Sequence, residues 1–345
     1  MLTVLTRTPT VRGTVGARPR GPYGRPAGAP HPRPSAPPFA PHPPLETKPR
    51  MDTPLTTVFL PLALAVIMFG LGLSLTVDDF RRVRRHPRAV VVAMVCQLLL
   101  LPVVCLGLVV AFGLSPVLAV GMMLLAASPG GTTANLFSHL FGGDVALNVT
   151  LTAVNAVLAI VTLPVITNLA LRHFEPDIGQ DGLGLQFGKV LQVFALVLVP
   201  VVIGMAVRRR SEVFARRMDR PVRLLSVVVL VAVILGALVA ERDDIVGYLV
   251  DVGPAALAFC VASLALGYAA PRLLKLGKQQ SIACSMEIGV HNSAVAMTLA
   301  ISVLGSVGLA VPAAIYGVLM YPVAALAGVL MARGARTAEE PAPVV

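Results

Sequence analysis

Between about residue 55 and residue 332 the chain repeats one pattern: an apolar run of about twenty residues, then a short polar joint. A helix of about 20 residues crosses the ~30 Å hydrocarbon core of a bilayer. The runs lack the period-two alternation of membrane barrel strands, and only helices or closed barrels satisfy their backbone groups in lipid. The pattern therefore predicts an all-α membrane protein with nine transmembrane helices. They fall near 55–75, 89–112, 116–140, 145–171, 188–207, 222–240, 254–270, 281–304 and 307–332. Two of them are interrupted, the third by Ser128-Pro129-Gly130-Gly131 and the eighth near Gly289.

The joints set an orientation. Arg81, Arg82, Arg84, Arg85 and Arg88 fill the first, and Arg208, Arg209, Arg210, Arg216, Arg217 and Arg220 the fifth. Arg272, Lys275 and Lys278 fill the seventh, and Arg333 and Arg336 follow the last run. Acids mark the intervening joints: Glu175, Asp177 and Asp181, then Glu241, Asp243, Asp244 and Asp251. Basic joints stay cytoplasmic, so the C-terminus is expected inside and the N-terminus outside. The last five runs form a unit whose final four match the first four, with the interrupted helix fourth in order. An odd-numbered repeat inserts inverted, and paired broken helices in inverted repeats point to a transporter's binding site.

Composition agrees with this and isolates one segment. Hydrophobic residues make up 56% and charged residues 13%, against about 25% charged in a soluble domain; mean hydropathy is +0.82. Residues 1–50 hold eight of the 28 Lys/Arg, one acid (Glu46) and 13 of the 29 prolines. This tail accounts for most of the net +11 and is expected to be disordered. Either it is a genuine tail or translation starts at Met51; its eight positive charges on the outer side favour the second. Residues 51–345 form the transporter domain, and no nucleic-acid binding is read from the charge. Cys96, Cys105, Cys260 and Cys284 sit in apolar runs, without disulfide or zinc spacing.

Chemistry concentrates at the two interruptions. Glu287 is the carboxylate well inside an apolar run. Burying such a charge in lipid costs at least ~2.5 kcal/mol, so intramembrane acids mark function. No Lys or Arg stands at a matching depth, so Glu287 calls for a cation or a proton. Pro129 removes a backbone donor, and Gly130 and Gly131 loosen the next turn. The half-helix restarting near Thr132 presents N–H groups to an anion. Gly289, His291, Asn292 and Ser293 follow Glu287, while Asn148, Thr152 and Asn155 share one helix face. Gln97 adds a further amide. These oxygens suit sodium rather than a transition metal.

On Met68–Leu73 running to Asp78-Asp79-Phe80, Ser128–Asn135, Gly143–Leu147 and Glu287–Ser293, in this order and spacing, the chain resembles the bile acid:sodium symporter family. The resemblance covers residues 55–332. It implies a core domain with two crossing broken helices (about 89–171 and 254–332) and a panel domain (about 55–75, 188–207 and 222–240). One sodium site would use Asn135, Asn148, Thr152 and Glu287. A second would use Gln97, Glu287, backbone oxygens of Ile288–His291, and the His291 side chain. Thr132, Thr133, Asn292 and Ser293 are the expected substrate contacts. Ala134 stands where a hydroxyl is frequent, Asn148 where Ser is expected and His291 where Gln is frequent; Met320-Tyr321 replaces a polar His-Asn pair. The implied function is sodium-coupled symport of a small organic anion (bile-acid-like, steroid-conjugate or small carboxylate). Sodium is the coupling ion, the lipid bilayer is the surrounding partner, and no other cofactor or protein partner is inferred. The four-residue spacing of Glu287 and His291 suggests one helical face. A protonated His291 then stands in for a second sodium, or a neutral ring turns away. Proton coupling or a sodium/proton antiporter is the rival, although the Asp pairs lie in joints; a membrane enzyme lacks its motifs, such as His-Glu-x-x-His or Gly-x-Ser-x-Gly.

Overall fold

The computed structural model describes residues 60–131, 133–177, 187–215 and 245–336, with a few positions between 217 and 228. Residues 1–50, Thr132 and most of the run at 222–240 lie outside the described residues. Within them the chain is helical throughout, with a single isolated β-bridge and no strand.

Helix α1 (Leu60–Ser74) leads into a short α2 (Val77–Arg81) that occupies the first basic joint. Thr76 and Asp79 form a reciprocal cap there, with the Thr76 N–H 2.7 Å from Asp79 Oδ2. The joint is thus an ordered helix rather than a loop, because its Thr-x-x-Asp pattern satisfies the first orphan donors. Helix α3 (Pro87–Ala111) begins with proline at a position where no N–H is needed. A π-helical turn at Cys96–Leu100 precedes Pro102, which cannot donate to the turn behind it. Helix α4 (Pro116–Ala127) stops at Ser128, and α5 (Thr133–Leu140) follows the break. Asp144 caps α6 (Val145–Phe174) through the Leu147 N–H at 3.0 Å. Helix α7 covers Phe187–Arg210. Helix α8 (Ile245–Leu273) starts nine residues before the expected 254 and runs through Pro254, so Asp251 is a helical residue rather than a joint residue. Hydropathy reports the segment in hydrocarbon, and here the helix extends beyond it. Helix α9 (Lys278–Gly289) breaks at Val290–Asn292 and resumes as α10 (Ser293–Val303), whose last turn is π-helical. Helix α11 (Val311–Arg336) ends the described chain. Among the described residues, four helices are long and apolar enough to cross a membrane: α3, α6, and the stretches Gly247–Leu273 and Gly308–Arg333.

Packing separates two groups. Helices α1 and α7 cross backbone to backbone at Gly72 and Gly204; a Cβ on Gly72 would overlap the Val201 carbonyl. Arg208 Nη1 donates to Leu73 O at 2.7 Å, satisfying a carbonyl that the end of α1 leaves open. The other group is centred on α4, buried from Leu118 to Ala127, and on α9, buried from Ser281 to Gly289. Outward faces stay apolar, as with Val91, Val95, Leu99 and Val103 on α3, which suits lipid contact.

Candidate ion and substrate site

A helix end leaves backbone groups unpaired, and inside a membrane protein they must find partners. The two breaks supply them to each other. Gly131 N donates to Val290 O at 2.7 Å, and Asn292 N donates to Pro129 O at 2.8 Å, around an antiparallel bridge between Gly130 and His291. The broken helices therefore meet at their interruptions.

Glu287 lies one half-turn before the end of α9 and is fully buried. Thr152 Oγ1 is 2.6 Å from Oε2 and donates to it when the carboxylate is ionised; Asn155 Nδ2 donates to Oε1 at 3.4 Å. No Lys or Arg pairs with it among the described residues. Gly130 leaves room for Glu287 where the breaks meet, because a Cβ there would displace the Glu287 carboxyl group from its place. Asn148, one turn before Thr152, donates Nδ2 to Ala283 O at 2.7 Å and leaves Oδ1 buried without a partner. Gln97 projects from the π-turn of α3, donates Nε2 to Ser128 O at 3.2 Å, and likewise leaves Oε1 unpartnered. Asn135 Oδ1 on α5 is a third buried amide oxygen without a partner. Buried polar atoms are normally paired, so these three oxygens have room for a further partner. The set is hard oxygen, which fits sodium.

His291 sits differently from the sequence expectation. Helix α9 ends at Gly289, and Val290 leaves helical geometry (φ −108°, ψ 84°), so the four-residue spacing from Glu287 no longer defines a shared face. The ring packs against Phe259 and edge-on to Tyr316, with Nδ1 3.1 Å from the Tyr316 hydroxyl. Tyr316 donates its one proton to Gly289 O at 2.7 Å, so its oxygen accepts from His291 Nδ1–H. The Nε2 lone pair is then the free face, buried and unpartnered.

Of the expected substrate contacts, Thr133 opens α5 and is half-buried. Asn292 caps α10, its Oδ1 accepting from Val295 N at 3.3 Å. Ser293 is buried with its Oγ unpartnered, facing Gly317 on α11. Thr132 lies outside the described residues. Sequence reasoning missed Tyr316, which lies hidden in an apolar run.

Comparison with known proteins settles the kinship. Residues 61–248, just over half of the 345, match the model of the sodium bile acid symporter family. The chain belongs to this family. It is 29% identical over 260 residues to the uncharacterized sodium-dependent transporter YocS of Bacillus subtilis, covering 75% of this chain and 78% of that one. It is 31% identical over 282 residues to the probable chloroplastic sodium/metabolite cotransporter BASS2 of Oryza sativa, covering 79% and 64%. It is 38% identical over 160 residues to the human sodium/bile acid cotransporter 4, covering 45% and 33%. The chain thus spans less than two thirds of the rice and human relatives. The sodium bile acid symporter family is one of transporters, not enzymes, and the chain is a multi-pass membrane protein.

Proposed function

We propose that the chain is a sodium-coupled symporter of small organic anions that works by alternating access in the cell membrane. The observation that carries the reading is the fully buried Glu287 carboxylate at the meeting of two broken helices, without a basic partner among the described residues. Asn135, Asn148 and Gln97, on helices α5, α6 and α3, each keep a buried amide oxygen without a partner, which supports the reading. A sodium ion offsets the charge and satisfies those oxygens. The names of two relatives, a probable sodium/metabolite cotransporter and a sodium/bile acid cotransporter, support the same reading.

In this account the first sodium is held by Asn135, Asn148, Thr152 and Glu287. The second rests on Gln97, Glu287 and carbonyls of Ile288–His291, with His291 offering its Nε2 lone pair. Substrate carboxylate meets Thr132, Thr133, Asn292 and Ser293, beside the start of α5, where the positive end of the helix dipole favours an anion. Binding of sodium orders the crossing, and the ordered crossing completes the anion site. Helices α1 and α7, with the run at 222–240, form the panel; the remaining helices form the core. The two halves form an inverted repeat, the C-terminus is cytoplasmic, and the N-terminus is outside.

A thermal-shift screen of small carboxylates with and without sodium tests this. A substrate raises apparent stability in sodium and does so much less in choline, since only ligands that favour the folded state stabilise it. Equal shifts in both salts across every responding acid would remove the coupling.

A further inference from the structure

An open recess of about 280 Å³ lies where α3 and α9 begin, lined by Arg85, His86, Arg88, Leu276 and Gln280 together with Pro87 and Ala89. Its charge is one-sided. Asp78 and Asp79 pair with Arg81 and Arg82 at 3.2 and 3.1 Å, so the nearby acids are already engaged. Arg85 and Arg88 have no ion pair among the described residues, and no acid lines the recess. Gln280 accepts from Gly277 N through Oε1, so its Nε2 is the group 3.1 Å from His86 Nδ1 and donates to it. A neutral His86 then carries its proton on Nε2, free to donate. His86 also has no side-chain bond to the start of α3, and with Pro87 lacking an N–H and Val90 N bonded to His86 O, the N–H groups of Arg88 and Ala89 are left open to an anion.

Below the recess the surface changes character. Arg88 continues along α3 into Val91 (61% exposed), Val95 and Leu99 (61% exposed). Helix α8 packs beside α3 and ends at Leu273 (81% exposed), with the exposed Leu274 following it. A recess flanked by the exposed, unpaired Arg85 and Arg88 and opening onto an apolar stripe matches a lipid: phosphate at the arginines, acyl chains along the stripe. We propose that this recess binds the phosphate of a membrane phospholipid and prefers an anionic headgroup. Arginine forks fit phosphate oxygens. The selectivity follows from the missing acid, because nothing in the recess pairs with the cation of a zwitterionic headgroup. On the proposed orientation the lipid belongs to the cytoplasmic leaflet, but the recess itself does not depend on that orientation or on the transported substrate.

The test compares purified full-length protein with phosphatidylglycerol, with phosphatidylcholine of the same chains, and with inorganic phosphate alone. Melting shifts and lipid retention by native mass spectrometry are the readouts. Each basic residue near an anionic lipid is worth about a fivefold change in affinity. Phosphatidylglycerol should therefore bind more tightly than phosphatidylcholine, and the double variant Arg85→Gln, Arg88→Gln should lose that preference by on the order of 25-fold. The pair Arg84→Gln, Arg209→Gln, exposed and outside the recess, should keep it. Equal binding of the two lipids would overturn the proposal. So would an equal loss in the Arg84/Arg209 pair, which would mean a diffuse surface potential. Stabilisation by inorganic phosphate matching that by phosphatidylglycerol would show a free-anion site instead of a lipid site.

Discussion

Replacing Glu287 with glutamine separates the charge from the shape of the crossing. In the native site Thr152 Oγ1 lies 2.6 Å from Glu287 Oε2 and 3.1 Å from Asn148 O. Glutamine can place Nε2 toward Thr152, which then accepts from the amide and turns its own proton to Asn148 O. Asn155 Nδ2 still donates to the remaining oxygen. No buried group loses its partner and an unpaired buried charge is removed, so without sodium the variant should be at least as stable as wild type. The cation loses its charge partner. Two unit charges 4 Å apart attract by about 4 kcal/mol at an effective dielectric of 20. That energy is close to a thousandfold in affinity, so a millimolar site becomes unmeasurable. The assay is melting of purified protein against sodium, with choline holding ionic strength constant. Wild type at 100 times its dissociation constant gains about 2.7 kcal/mol, a rise of a few degrees. Glu287→Gln should melt at or above the wild-type value in choline and show no further rise with sodium. A sodium-dependent rise of the same size in the variant would refute the reasoning.

Further outcomes follow from the same geometry. Gly130→Ala places a methyl group on the Glu287 carboxyl and should abolish the sodium-dependent melting shift, whereas Gly107→Ala, with nothing within 4 Å, should leave it intact. Tyr316→Phe orphans Gly289 O and frees the His291 ring, so it should cost about 1–3 kcal/mol of stability, read as a lowered melting temperature in choline. His291→Gln replaces a nitrogen by an amide oxygen that suits sodium better, and should steepen the sodium dependence of transport from a Hill slope near one. Cysteine at Asp177 should react with an impermeant label from outside and cysteine at Arg210 only from inside, against a background of buried native cysteines; the reverse pattern would invert the topology.

Much of the architecture was legible because lipid imposes a simple rule on backbone polarity. Apolar runs gave α3, α6 and both broken helices to within a few residues, and Pro129-Gly130-Gly131 marked the first interruption. The face of Asn148, Thr152 and Asn155 was readable since helical period is regular over Val145–Phe174, and all three are buried there. Periodicity fails where a helix fails. His291 could not be placed from Glu287, because Val290 turns the chain between them. Helix α2 was too short and too charged for a hydropathy pattern, and only the Thr76–Asp79 cap announced it. Tyr316 carried no signal of its own: its role depends on the orphan carbonyl of Gly289, which exists only after the break is formed.

The central claim is that a sodium gradient drives accumulation of an organic anion through the Glu287 crossing. The direct measurement is uptake of a labelled small carboxylate into proteoliposomes, with an inward sodium gradient and no gradient of protons or potassium. The account predicts accumulation above the external concentration that collapses when a sodium ionophore is added and is absent in Glu287→Gln. Equal accumulation under a proton or potassium gradient without sodium would contradict it.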